Sequence, residues 1–128
     1  MRESDEWVVR VFVDHGATPV WYGGPRDYDE MHVSPDLERD LQVFDDWYYD
    51  AEDPLEQYAV RSNVRHDFER EGERLAQALA KELGAPFSVT VIHPGDRSGS
   101  RTYRSPVAAT NPRAHAAFIA IHDEDLRT

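Results

Sequence analysis

The stretch NVRHDFEREGERLAQALAKEL, Asn63 to Leu83, decides the fold. Val64, Phe68, Gly72, Leu75, Leu79 and Leu83 recur at steps of three or four, which lines them along one side of a helix. Ala76 and Ala80 widen that stripe, while Asp67, Glu69, Arg70, Glu73, Arg74 and Lys81 fall mostly on the other side. Gly84 stands where a left-handed cap belongs, and Pro86 bars continuation. Gly72 lies on the apolar side, where glycine costs about 1 kcal/mol relative to alanine. The expected compensation is close approach of another element, the helix of residues 35–50.

Working outward, Phe87, Val89 and Val91 alternate with Ser88, Thr90 and Ile92 as in a strand, and His93-Pro94-Gly95 ends it. A loop is expected over Asp96–Ser100 and a returning strand from Arg101 to about Ser105. Asn111-Pro112 then starts a closing helix through Ala114, Ala117, Phe118 and Ile121 to about Asp125, with a buried strand over Phe118–Ile121 as the alternative. Upstream, Ser34-Pro35 pairs a cap residue with a proline at the first helical position. Leu37, Leu41, Phe44 and Tyr48 carry that helix to about Asp50. Asp53-Pro54-Leu55-Glu56 is a second start signal. It opens either a short helix to about Val60 or the first part of one helix reaching Leu83, with a break expected near Ser62. Before these, Trp7–Asp14 and Ala17–Tyr22 read as strands, Pro19 suiting an edge. A loop is expected from Gly23 to Val33. The order is ββααββα. It predicts an α+β fold, a two-layer single domain over residues 1–128, with a mostly antiparallel sheet packed on about three helices.

At 128 residues and 40% hydrophobic, the chain can bury a core without staples, and it has no cysteine for disulfides. The charged start, Met1–Glu6, does not read as a secretory signal. No apolar run approaches a membrane span. These points predict a cytoplasmic protein. The net charge is −11, and the window Asp27–Glu56 holds twelve acids against the single base Arg39, so it contains the whole excess. Such a field repels nucleic acid and anionic membrane and attracts a basic partner.

Within that window Asp45, Asp46, Asp50, Glu52 and Asp53 surround Trp47, Tyr48 and Tyr49. A helix cannot bury three consecutive aromatics on one side, so at least one is expected to project outward. Exposed rings supply binding energy and carboxylates supply steering. Asp45, Asp46, Trp47, Tyr49, Asp50 and Asp53 are therefore the candidate partner-binding residues. A solvated acidic helix whose rings cover the sheet is the competing reading. A second candidate is the loop of His93, Arg97, Arg101 and Arg104, with Arg113, which could hold an anion. An ordinary hairpin loop is the favoured reading of this stretch, and arginines paired with the acidic window are a further variant. His93 is the one candidate acid–base histidine.

No catalytic signature stands out. There is no GxSxG elbow, no HExxH or CxxC, and no phosphate-binding GxxxxGK[ST] loop. His115 and His122 are seven apart, too wide for a shared zinc without further ligands. No catalytic residue, metal or cofactor is assigned. The segments Ser34-Pro35-Asp36-Leu37, Phe44-Asp45-Asp46-Trp47, Phe68 with Glu71-Gly72, Leu83-Gly84 and Ala109-Thr110-Asn111-Pro112 resemble a class of small actinobacterial proteins. The thirteen arginines against one lysine match the codon bias of such genomes. The resemblance implies a small α+β fold, and some proteins of this size and charge there are immunity proteins that neutralise a toxin. The reading is a non-enzymatic binding protein that occludes a basic toxin or nuclease. The alternative is a small enzyme or anion-binding regulator using residues 93–104. Self-association is a further expectation.

Overall fold

The structure, a computed structural model, describes residues 7–14, 16, 18–56 and 59–126; for residues 96–99, 125 and 126 it describes the backbone alone. The described elements are β1 (Val8–Val11), β2 (Val20–Trp21), α1 (Tyr28–Met31), α2 (Pro35–Ala51), α3 (Ser62–Leu83), β3 (Ser88–His93), β4 (Asp96–Tyr103) and α4 (Pro112–Ile121). A π-helical turn, His122–Leu126, extends α4.

The strands form one sheet in the order β2-β1-β3-β4. β1 pairs antiparallel with β2 and parallel with β3, and β3 pairs antiparallel with β4. The parallel pair follows from chain order, because α2 and α3 intervene and return the chain in the same direction. The fold is thus α+β with a mixed sheet.

Burial follows the alternation. Val9, Val11, Phe87, Val89 and Val91 are buried toward the helices, with Leu75, Leu79, Leu83 and Phe118 against them. Gly72 sits at the tightest point. A β-carbon built there would stand 3.1 Å from Val91 Cγ2 and 3.3 Å from Phe44 Cζ, so both β3 and α2 close on α3 at this residue. Gly84 ends α3 with φ 67 and ψ −178, a positive-φ cap outside the left-handed helical basin. A β-carbon at position 84 would lie 2.5 Å from the Ala109 nitrogen.

Three helix ends meet at Glu82. Its carboxylate accepts the Ser34 N–H at 2.9 Å, the Ser34 hydroxyl at 2.5 Å and an Asn111 side-chain N–H at 2.9 Å. Ser34 and Asn111 in turn cap α2 and α4, accepting from Leu37 N and Ala114 N. The caps read from the sequence, each followed by a proline, are therefore tied together by one residue of α3.

Several expectations change. β1 spans four residues, not eight, the four whose register with β3 runs from Val8 to Val11, and β2 spans two. The stretch expected as a loop to Val33 contains α1. No helix occupies 54–56. Instead Asp53 N bonds Ala59 O at 2.8 Å and Arg61 N bonds Ala51 O at 2.8 Å, which brings residues 59–61 back beside the end of α2. α3 accordingly starts afresh at Ser62. Asp96–Ser100, expected as a loop, is extended backbone within β4, and the register shifts between Val91 and His93 to absorb the extra residues. The alternative strand at Phe118–Ile121 is overturned, since those residues are helical. His15 and Ala17 lie outside the described residues.

Two substitutions test this frame by urea denaturation. Gly84→Ala should cost about 2 kcal/mol, through its positive φ and the Ala109 backbone. Glu82→Ala should also cost about 2 kcal/mol by stranding donors at two helix starts, and Glu82→Gln should cost less.

Candidate partner-binding surface

α2 divides the acidic window between core and solvent. Leu37, Leu41, Phe44, Tyr48 and Ala51 are buried on one side. The 3.6-residue period turns Val43, Asp46, Tyr49 and Asp50 outward, and these are exposed. Asp45 and Trp47 lie on the flanks, half-buried.

The three consecutive rings take three different positions. Tyr48 is buried, and its hydroxyl donates to Glu52 Oε2 at 3.2 Å. Burial first, and the Glu52 charge second, raise its phenol well above the usual tyrosine range. Trp47 packs edge-on against Phe68 at 5.1 Å, while Phe44 stacks on the same ring at 4.5 Å. Tyr49 is 38% exposed and leans on Tyr48 at 5.3 Å.

The carboxylates divide along the helix as well. In the first half, Asp36 pairs with Arg39 at 3.1 Å, and Asp40 pairs with Arg74 at 3.1 Å. Glu71 holds the same Arg74 at 2.6 Å. In the second half, none of Asp45, Asp46, Asp50 and Asp53 is in an ion pair among the described residues. Asp50 meets Arg61 only through its backbone carbonyl, at 2.6 Å. Asp53 Oδ1 accepts the Leu55 N–H at 2.8 Å. The charge left open to solvent is therefore concentrated at the C-terminal half of α2.

Asp45 is the unusual member. Its Oδ1 is buried with no hydrogen-bond partner among the described residues. Burial, then the neighbouring Asp46 charge, raises its carboxyl above the usual range. Tyr28 of α1 lies within the same field. Burial pushes its phenol up to about 12, with further contributions from the Asp45, Glu38 and Asp46 charges. The nearby Thr18 hydroxyl opposes that rise, but it already accepts the Val20 N–H at 3.1 Å, and the Tyr28 hydroxyl is left without a sound hydrogen bond. Asp14, three residues beyond β1, acts on Tyr48 across the fold. The acidic face thus includes Asp14 and Tyr28, which sequence reading missed, beside Glu38 of α2 itself. The approach of Asp14 and Tyr28 to α2 depends on tertiary packing and has no local signal.

Among the described residues, three of the four exposed large apolar side chains fall in the same window: Val43 at 61%, Tyr49 at 38% and Leu55 at 94% exposed. Free carboxylates and accessible apolar side chains therefore share one surface.

The arginine loop is arranged differently. His93 is buried, with Nε2 at 3.1 Å from Glu73 Oε2, and Arg101 Nε is 3.6 Å from the same oxygen. Glu73 thus stands between two of the candidate anion-binding residues. Arg104 is exposed, and the Arg97 side chain lies outside the described residues. Other histidines serve the fold. His115 Nδ1 donates to Leu83 O at 2.7 Å, and His122 stacks on Trp7 at 3.8 Å with Nδ1 3.0 Å from the Tyr22 hydroxyl. No group of three or more His, Asp or Glu residues is placed to hold a metal ion among the described residues.

A family model covers Val8 to Pro94, the span from β1 to the end of β3, including every candidate partner-binding residue. The chain belongs to the Serratia CdiI immunity protein-like family. No curated protein and no solved structure matches it. The matched part of this CdiI-like chain contains α2, α3 and the Gly72 contact, while β4 and α4 lie beyond it. No described helix is long and apolar enough to cross a membrane.

Asp45 supplies a pH test of the surface. A raised folded-state pKa means the neutral carboxyl is favoured in the fold, so the stability this group confers is full below its ordinary value of 3.8. That stability is lost as pH rises through the raised value. Asp45→Asn should therefore melt at a higher temperature than the parent at pH 7. The gain should vanish in melts run below the ordinary carboxyl range.

Proposed function

We propose that this CdiI-like immunity protein binds and occludes a basic toxin, most simply a nuclease, through the face of Asp45, Asp46, Trp47, Tyr49, Asp50 and Asp53. The observation that carries the reading is the coincidence of unpaired carboxylates with exposed Val43, Tyr49 and Leu55. An immunity protein implies a toxin partner, and a one-signed surface implies the sign of that partner's charge. The carboxylates accelerate encounter, because long-range attraction acts before contact. The apolar side chains then hold the complex, because desolvating them slows dissociation. Inhibition by occlusion requires no chemistry from this chain. The half-buried Asp45 supports the same reading. A carboxylate held at a cost to the fold is accounted for by a role outside it. The chain acts in the cytoplasm, where a nuclease would reach its substrate, and its arginine bias supports an actinobacterial source.

Stopped-flow association with the cognate toxin tests the proposal. Asp46→Lys with Asp50→Lys, both at exposed positions, should slow association by at least about tenfold at low salt. Adding Asp45→Lys should slow it further. The parent's rate should fall steeply with added salt, and that of the reversed variant should not. Equal rates for parent and variant at low salt would remove this surface from the mechanism.

A further inference from the structure

Among the described residues the helices pack against one face of the sheet, and the other face carries Arg10 and Thr102 exposed and Trp21, Thr90 and Ile92 half-buried. On the open face the strand registers place Trp21, Arg10, Thr90 and Thr102 in one row across all four strands. Thr90 and Thr102 bond through their hydroxyls at 2.7 Å. Phe12 stacks on Trp21 at 4.8 Å, and the Trp21 indole N–H donates to Phe12 O at 3.1 Å. Ile92, one residue past the Val91 that pairs with Val11, shares this face by alternation. Arg10 is exposed, with no ion-pair partner among the described residues. No acid stands on these open-face positions of β1, β2 and β3. The chain is strongly acidic, yet this face is aromatic and cationic.

We infer that the open sheet face receives the α2 face of a second copy of this chain. The complementarity is specific in kind. Exposed Val43 and Tyr49 match Phe12, Trp21 and Ile92, and the unpaired Asp46 and Asp50 match the unpaired Arg10. The outward strip from Val43 to Asp50 runs about 10 Å along the helix. The four-strand row spans about 14 Å, so the helix can lie within it. A helix over a bare sheet face is also the ordinary way to add a layer. The contact is heterologous, joining two different faces, so each copy of a pair keeps one of its two faces free. It uses the same α2 face as the proposed toxin contact and rests on that reading. Toxin binding and self-association are therefore mutually exclusive, and free protein masks its own docking surface until a toxin displaces the neighbour.

Sedimentation velocity across a concentration series at low salt tests this. The parent should associate reversibly beyond the dimer and dissociate on adding salt or saturating toxin. Arg10→Glu should weaken association by at least about tenfold, since like charges then oppose each other. Asp46→Lys with Asp50→Lys should do the same. Arg10→Glu keeps α2 intact, and the double lysine variant keeps the sheet face intact. Mixed in equal amounts, two monomeric proteins should form a one-to-one complex and nothing larger. A parent that stays monomeric, an Arg10→Glu protein that still associates, or a mixture that stays monomeric each overturns the inference. Arg10→Glu should retain toxin binding. Loss of self-association with toxin binding preserved therefore separates this contact from the functional one.

Discussion

The close approach at Gly72 is the constraint on which the arrangement depends. Where a side chain would begin, Val91 of β3 and Phe44 of α2 already stand at contact distance. Any larger residue would push α3 off the sheet or α2 off α3. Overpacking of that kind typically costs about 1–3 kcal/mol. The absent side chain lets Phe44 reach across and stack on Phe68, and Phe68 in turn receives Trp47. The rotation of α2 about its own axis is fixed by these rings. That rotation turns Asp46, Tyr49 and Asp50 to solvent. The proposed docking surface is thus a consequence of core packing one turn of helix away.

The same packing decides which charges remain free. Arg74 projects from α3 toward the first half of α2 and is held by Glu71 and Asp40. Both carboxylates, with Glu71 contributing most, keep its guanidinium firmly charged. The second half of α2 has no such arginine. Arg61 closes the helix end through backbone carbonyls and leaves the Asp50 carboxylate alone. The chain therefore neutralises its acidic window at one end and displays it at the other, which focuses the field instead of spreading it.

Much of the frame was legible residue by residue. Ser34-Pro35 and Asn111-Pro112 marked helix starts because a cap and a missing N–H are local chemistry. Val89 and Val91 marked a strand because alternation is local geometry. The expectation that Gly72 meets the helix of residues 35–50 also holds, because a glycine weakens its helix and suits an apolar stripe where a neighbour leaves no room for a side chain. The failures have equally physical causes. α1 is one turn long and carries no periodic signal. Asp53-Pro54-Leu55-Glu56 has the composition of a helix start, but backbone bonds from Asp53 to Ala59 and Arg61 to Ala51 bring residues 59–61 back beside the end of α2. Asp96–Ser100 is rich in turn residues, yet pairing with β3 draws it into extended backbone.

By itself the sequence determined the helix stripes, the caps, the strand alternation and the confinement of net charge to residues 27–56, because each depends on neighbours a few positions apart. The tertiary structure alone decided that β1 pairs with β3, that Glu82 joins three helix ends, and that Arg74 satisfies Asp40 while Asp46 and Asp50 have no ion-pair partner among the described residues. Those outcomes depend on groups far apart in the chain, 34 residues for Arg74 and Asp40, and no local pattern encodes which distant charge will arrive.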